Sequence, residues 1–262
     1  MPAMGQAPTK RVIITGASSG IGMALARRYA AQGACLGLIA RRDTELKQLA
    51  AQLGGDCAVY ALDVRDADGL QRAAADFMAR HGCPDVVIAN AGVSYGTLTE
   101  YAADARVFQD VIDINVMGMV KTFQPFVPCM REAGRGALVG IASVAGYRGL
   151  PGAAAYSASK AAAISYLESL RVELHPSGVK VITICPGYVA TPMTEKNPYP
   201  MPFIMSADTA ARKITSIIER GGTYAVIPWQ MALVARLLRL LPNWLYDRLL
   251  AQAPHKPRKQ AQ

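Results

Sequence analysis

Residues 11–22 read RVIITGASSGIG. A short Val- and Ile-rich run, Arg11–Thr15, passes through three glycines spaced GxxxGxG, and the helical pattern Ile21–Gln32 begins inside that loop. An unalternating apolar run of this length suits a strand buried on both faces. A strand that turns through glycines into a helix opens a βαβ unit and predicts a parallel, doubly wound sheet. Gly16 suits the tight turn, Gly20 lets the backbone approach a pyrophosphate, and Gly22 lets the helix pack close to the strand. Ser18, Ser19 and Ile21 ride on the same loop. The helix N-terminus offers free N–H groups and partial positive charge to phosphate. The spacing differs from the common GxGxxG fingerprint, and an ordinary glycine-rich turn could share this composition.

The alternation continues outward from that loop. Strand candidates follow at Ala34–Ala40, Cys57–Leu62, Asp85–Ala89, Ala137–Ala142, Val179–Cys185 and Tyr224–Ile227. Helical stretches separate them at Thr44–Leu53, Ala67–His81, Ala105–Arg131, Tyr156–His175 and Ala207–Arg220. The expected fold is α/β: one sheet of about seven parallel strands with helices on both faces. No internal linker or repeat divides it, so residues 1–228 read as one nucleotide-binding catalytic domain, and 229–262 as a helical extension with a basic tail.

Composition agrees with a globular chain: 52% of residues are hydrophobic and 18% are charged. The net charge of +9 raises nucleic acid as a partner. The basic residues are scattered, however, apart from Arg41-Arg42 and a C-terminal group of Arg236, Arg239, Arg248, Lys256, Arg258 and Lys259. With no recognition helix, zinc spacing or aromatic RNA motif, nucleic acid is not an expected partner. The five cysteines are odd in number and form no CxxC. Cys35, Cys57 and Cys185 fall in strand-like runs as small core hydrophobes, which suggests a reducing, cytoplasmic setting. The segment MPAMGQAPTK lacks the apolar core of a signal peptide, and no apolar run is long enough to span a bilayer. The three histidines read as structural, and no metal is expected.

The chemistry-bearing residues lie downstream. Tyr156 and Lys160, in AAAYSASKAAA, share one helix face at i and i+4. Ser143 ends the apolar run ALVGIAS. A free phenol titrates near 10, too high for an efficient proton carrier at neutral pH, and an adjacent ammonium favours the phenolate. Tyr156 is then a general acid in carbonyl reduction and a general base in alcohol oxidation, while Ser143 can hold the substrate oxygen. The end of the second strand normally selects the cofactor. Here it reads LGLIA followed by Arg41 and Arg42, with no carboxylate before Asp43. Guanidinium groups suit a ribose 2′-phosphate, so NADP(H) is expected over NAD(H), with Arg41 carrying most of the preference. Asp63-Val64 can meet the adenine edge, and Asn90-Ala91-Gly92 can pass close to the adenosine ribose.

With these elements in hand, the chain resembles the short-chain dehydrogenase/reductase family. The resemblance rests on TGASSGIG at 15–22, DV at 63–64, NAG at 90–92, Asn115 in DINVMG, Ser143, Tyr156 with Lys160, and Pro186-Gly187 followed by Thr191. It implies that Lys160 also binds the nicotinamide ribose and that Asn115 takes part in a water-linked proton relay. It further implies that Pro186, Gly187, Val189 and Thr191 flank the nicotinamide. A substrate lid is implied over residues 188–206, together with a homodimer or homotetramer.

The lid reads YVATPMTEKNPYPMPFIMS, apolar and Met-rich, which suits a small hydrophobic carbonyl or alcohol. Tyr95 and Tyr147 are candidate pocket walls, and no charged handle for substrate stands out. The Leu-rich stretch from Trp229 reads as two helices whose apolar faces are expected to pack on a subunit or the lid. Weak association of residues 229–252 with a membrane surface is the alternative, and location at the membrane periphery with it. Two other functions fit less well. A 3-oxoacyl-thioester reductase would share the chemistry. A non-catalytic nucleotide-binding scaffold would need none of Ser143, Tyr156 and Lys160.

Overall fold

A computed structural model describes residues 9–195 and 197–258. Its main sheet has seven parallel strands: β1 (Arg11–Thr15), β2 (Cys35–Ala40), β3 (Cys57–Ala61), β4 (Val86–Ala89), β5 (Ala137–Ile141), β6 (Lys180–Pro186) and, last in the sheet, β9 (Tyr224–Ile227). Two short strands, β7 (Val189–Ala190) and β8 (Met205–Ser206), pair with each other outside it. The order across the main sheet is β3-β2-β1-β4-β5-β6-β9. The chain winds one way from β1 to β3 and the other way from β4 onward. The switch therefore lies between β1 and β4, where a crevice opens at the strands' carboxyl ends.

Helices α1 (Gly20–Ala30), α2 (Asp43–Leu53) and α8 (Ala207–Glu219) cover one face. The opposite face carries α3 (Ala67–His81), α4 (Ala102–Ile112), α5 (Gly118–Phe123), α6 (Val127–Ala133) and α7 (Ala154–Leu174). Two apolar clusters result, one per face. Val12, Ile14, Leu36 and Leu38 point into the first, and Ile13, Ile39, Val87 and Leu138 into the second. Strand side chains alternate between faces, so adjacent buried residues fill both cores and leave no polar face to the strand.

The expected elements form, with two informative departures. The single helix expected over Ala105–Arg131 is broken into α4, a π turn at Asp113–Met117, α5 and α6. Pro125 and Pro128 sit inside that stretch; a proline lacks the N–H and clashes with the preceding turn, so α5 ends at Phe123 and Pro128 falls in the first turn of α6. The second departure is a disulfide between Cys83 and Cys129, whose Cα atoms lie 5.9 Å apart. Neither had a motif to mark it, because the partners are 46 residues apart. Cys35, Cys57 and Cys185 are free.

The C-terminal stretch forms α9 (Trp229–Leu240) and α10 (Asn243–Leu250). Arg148, in the loop after β5, anchors the pair. It donates to the carbonyls of Leu238 and Leu241 and to Asn243 Oδ1, and its guanidinium lies 3.8 Å above the Tyr246 ring. Only Met231, Ala235 and Tyr246 of these helices are buried. Of the two expected partners, a subunit or the lid, the lid does not cover Leu237, Leu240, Trp244 and Leu249, which remain exposed in the single chain. Among the described residues, no helix is long and apolar enough to cross a membrane.

Candidate active site

The loop after β1 builds the first wall. Gly16 has φ +68 and Gly20 φ +55, values that side chains disfavour. A Cβ on Gly22 would lie 2.3 Å from the Gly16 carbonyl oxygen, so helix α1 can approach the turn only with glycine there. Ser19 caps α1 with extended backbone and no side-chain capping bond, which leaves the first N–H groups of the helix open to an anion. Asn90, at the end of β4, fastens this loop across the switch point. Its side-chain amide donates to the carbonyl of Thr15 at 3.0 Å, and its backbone N–H to the Thr15 hydroxyl at 3.0 Å.

A cleft of about 850 Å³ opens above these groups. Gly16, Ser18, Ser19, Gly20, Ile21, Arg41, Arg42, Asp63, Val64, Asn90, Ala91, Gly92 and Thr191 all line it. The two arginines differ in posture. Arg42 donates to the carbonyl and hydroxyl of Ser18, at 3.2 and 3.0 Å, and so braces the phosphate loop. Arg41 is largely exposed and reaches only a 4.0 Å contact with Asp63. Burial would raise the Asp63 carboxyl, but bonds from Arg65 and the charge of Arg41 hold it below its ordinary range.

A smaller crevice of about 90 Å³ shares Ile21, Gly92, Thr191 and Met193 with the cleft. Ser143, Tyr156, Lys160, Pro186, Gly187 and Val189 line it. Ser143 comes from the end of β5, while Tyr156 and Lys160 come from one face of α7, which packs against that strand end. The Lys160 ammonium is buried and lies 5.8 Å from the Tyr156 ring centre. It donates to the Ile141 carbonyl at 2.8 Å, and no carboxylate among the described residues forms an ion pair with it. Burial pushes its pKa down to about 8. Burial also raises the Tyr156 phenol, against which the Ser143 hydroxyl pulls downward. A buried ammonium with three donors and one protein acceptor fits ligand hydroxyl groups at the junction of the two spaces.

Asn115 stands apart from both linings. It lies in the π turn, and its side chain is fully engaged: Oδ1 accepts from Val93 N at 2.8 Å, and Nδ2 donates to the Val93 carbonyl and the Ser159 hydroxyl, each at 2.9 Å. It ties the loop after β4 to α7 immediately behind Gly92, where a Cβ would come within 3.1 Å of Asn115 Oδ1. Its side chain positions the site, and π turns recur at such places.

The family model of short chain dehydrogenases matches residues 10–200. The chain belongs to the short-chain dehydrogenase family. It is 40% identical over 247 residues to an uncharacterized oxidoreductase of Myxococcus xanthus, covering 93% of this chain and 97% of that one. Among solved structures it is similar to a short chain dehydrogenase of Burkholderia cenocepacia in complex with NADP. The TM-score there is 0.80 at 26% identity, over 92% of this chain and 98% of the other. A short chain dehydrogenase/reductase of Burkholderia phymatum in complex with NAD matches with the same TM-score at 25% identity, over 96% and 98% of the two chains. Oxidoreductase chemistry and nicotinamide binding are therefore properties of this dehydrogenase's family, while its neighbours include both cofactor types.

Several lining residues of this dehydrogenase carry no sequence signal. Lys256, Pro257 and Arg258 border the large cleft, although they follow α10 at the end of the chain. The basic tail is thus partly built into the body, and Lys259 lies outside the described residues. Tyr95 lines the cleft as expected. Tyr147 lines neither space; its hydroxyl accepts from Tyr224 at 2.7 Å, and its carbonyl from Arg239 at 3.2 Å, on the α9 side. At the far edge of the sheet, ligand atoms of Cys35, Asp56 and His81 lie within 4.8 Å of one another, a proximity that their spacing in the chain conceals. There His81 Nδ1 lies 3.2 Å from Asp56 Oδ2.

The buried Lys160 implies a cost in stability. Below pH 8 the ammonium is charged in folded and unfolded chains alike, and its burial penalty is fully present. Between about 8 and the ordinary value of 10.5 the unfolded chain holds the proton more tightly, so stability rises with pH. Lys160→Met is expected to raise stability at neutral pH by on the order of 1–2 kcal/mol, about 2–4 °C in Tm per kcal/mol, and to flatten that rise. Thermal unfolding across pH 7–10 checks this; a lower Tm for the variant would contradict it.

Proposed function

We propose that this short-chain dehydrogenase uses NADP(H) to interconvert a ketone or aldehyde with an alcohol on a small hydrophobic substrate. The observation that carries the reading is the convergence of Ser143, Tyr156 and Lys160 in one crevice, open to a cleft whose far end presents Arg41 and Arg42. When bound there, the nicotinamide supplies or takes up the hydride. Ser143 holds the substrate oxygen by hydrogen bond and stabilises its developing charge. Tyr156 gives its phenolic proton to that oxygen in reduction and takes it back in oxidation, and the Lys160 ammonium nearby favours the phenolate that remains. Residues 188–206 present Met193, Phe203 and Ile204 as exposed apolar surface, suited to an apolar substrate body. Phe203 holds φ +56, unfavourable for a bulky residue. The uncovered leucines of α9 and α10 are the surface on which a second subunit would pack.

The test is a panel of carbonyl and alcohol substrates run with each cofactor and followed at the nicotinamide absorbance. Turnover with NADPH supports the reading, and none with either cofactor refutes it. Cofactor selection separates the arginines. Arg41 is not engaged by the loop, so Arg41→Ala is expected to raise the Kd for NADPH by about 10- to 100-fold and leave NADH nearly unchanged. Arg42 braces Ser18, so Arg42→Ala should weaken both cofactors. Fluorescence titration decides; equal wild-type affinities for NADPH and NADH would overturn the selectivity.

A further inference from the structure

After α10 the chain turns back across the body and ends its described course against the loop following β4. Three contacts fix it there. The Gly96 N–H donates to the Pro257 carbonyl at 3.0 Å. Arg258 forms a two-pronged bond to Asp104, with distances of 2.8 and 3.0 Å. The same guanidinium lies 3.5 Å above the Tyr101 ring. Asp104 is itself buried and also accepts from Leu98 N at 2.8 Å, so the anchor belongs to the loop as much as to the tail. Bonds from Arg258 and Leu98 hold its carboxyl below the ordinary range.

This strap brings one residue of the cleft lining close to Tyr156. Lys256 donates from Nζ to the Ser94 hydroxyl at 2.9 Å, and Nζ lies 6.0 Å from the Tyr156 ring centre. Tyr156 therefore has a cation on each count: Lys160 from its own helix and Lys256 from the tail. Among the described residues, no carboxylate forms an ion pair with Lys256. Burial alone pushes its pKa down to about 8, with no acidic neighbour to oppose the shift. The strap does not need this ammonium for its own attachment, since Pro257 and Arg258 supply that. A half-buried cation without a counter-ion, lining the cleft and 6.0 Å from the Tyr156 ring centre, is a site for an anion.

We propose that Lys256 recognises an anionic group on the substrate, so that this dehydrogenase acts on carbonyl compounds bearing an acid group close to the reacting carbon. The inference rests on the oxidoreductase reading and sharpens it. The substrate has an apolar body for the lid and a negative end for Lys256. The tail supplies the charged handle.

The probes are a phenyl-substituted oxo acid and its ethyl ester, which differ in charge and share the carbonyl and the ring. Wild type is expected to favour the acid by about 10-fold or more in kcat/KM. Lys256→Met, which keeps the length of the side chain, should raise KM for the acid by about 10- to 100-fold and for the ester by no more than about threefold. Lys256→Arg should restore most of the difference. Calorimetric binding of the acid to the NADPH-loaded protein provides a readout independent of turnover, and cofactor titration provides a third. Equal losses on acid and ester, a wild-type preference for the ester, or an acid that does not bind would each overturn the proposal. Lost NADPH affinity in Lys256→Met would instead make Lys256 a cofactor contact. If neither compound turns over but the acid binds through Lys256, the oxidoreductase reading falls and the anion site stands.

Discussion

Tyr156→Phe is expected to slow carbonyl reduction by 100- to 10,000-fold while leaving cofactor affinity nearly intact, the range expected for loss of a positioned general acid. The ring would still fill the crevice and pack beside Lys160, so what disappears is one hydroxyl and its proton. The phenol's setting makes the expectation specific. Burial raises it and the Ser143 hydroxyl lowers it, so without a charged ligand nearby it stays protonated, ready to act as an acid. Single-turnover mixing of NADPH-loaded protein with substrate isolates the chemical step. A variant within a factor of two of wild type would remove Tyr156 from the mechanism.

Ser143→Ala is expected to lower kcat by roughly 100- to 1,000-fold, the usual cost of removing one donor to a developing oxyanion. Ser143 lies at the strand end with extended backbone, and its hydroxyl accepts from Ala145 N at 3.1 Å. That bond orients the lone pairs and leaves the hydroxyl proton to be shared between the Tyr156 oxygen, the Pro186 carbonyl at 3.5 Å and a bound substrate. Alanine would also remove the cap of the short turn that follows, so the thermal midpoint must be measured alongside. The expected pattern is a large fall in kcat, a small change in KM and a Tm within a few degrees of wild type. A fall confined to KM would assign Ser143 to binding alone.

The legible and illegible parts of this molecule divide along a physical line. The seven parallel strands were legible because the inner ones are buried on both faces and even the half-covered edge strands, β3 and β9, stay short apolar runs. Gly16, Gly20 and Gly22 were legible because backbone geometry there admits little else. The meeting of Ser143, Tyr156 and Lys160 in one crevice was legible because local spacing on a strand end and one helix turn fixes them relative to the sheet. The break of the Ala105–Arg131 helix was written in Pro125 and Pro128 and was overrun by the strength of the surrounding helical pattern. Asn115 was found by resemblance, but its engagement with Val93 and Ser159 depends on contacts that no periodicity encodes. The tail is the extreme case. Lys256 reaches Ser94 across 162 positions of chain, and Arg258 reaches Asp104 across 154, so a segment that reads only as a basic tail becomes a wall of the cleft. Long-range closure of this kind is set by the whole fold and leaves no local mark.

The measurement closest to the central claim follows the hydride itself. NADPH carrying deuterium at the transferring carbon is incubated with the protein and a hydrophobic ketone, and the alcohol is analysed by mass spectrometry. One deuterium per product molecule, formed by wild type and lost with Tyr156→Phe, is the predicted result. NADPH consumption without label in the alcohol, or no alcohol from any carbonyl offered, would contradict the account.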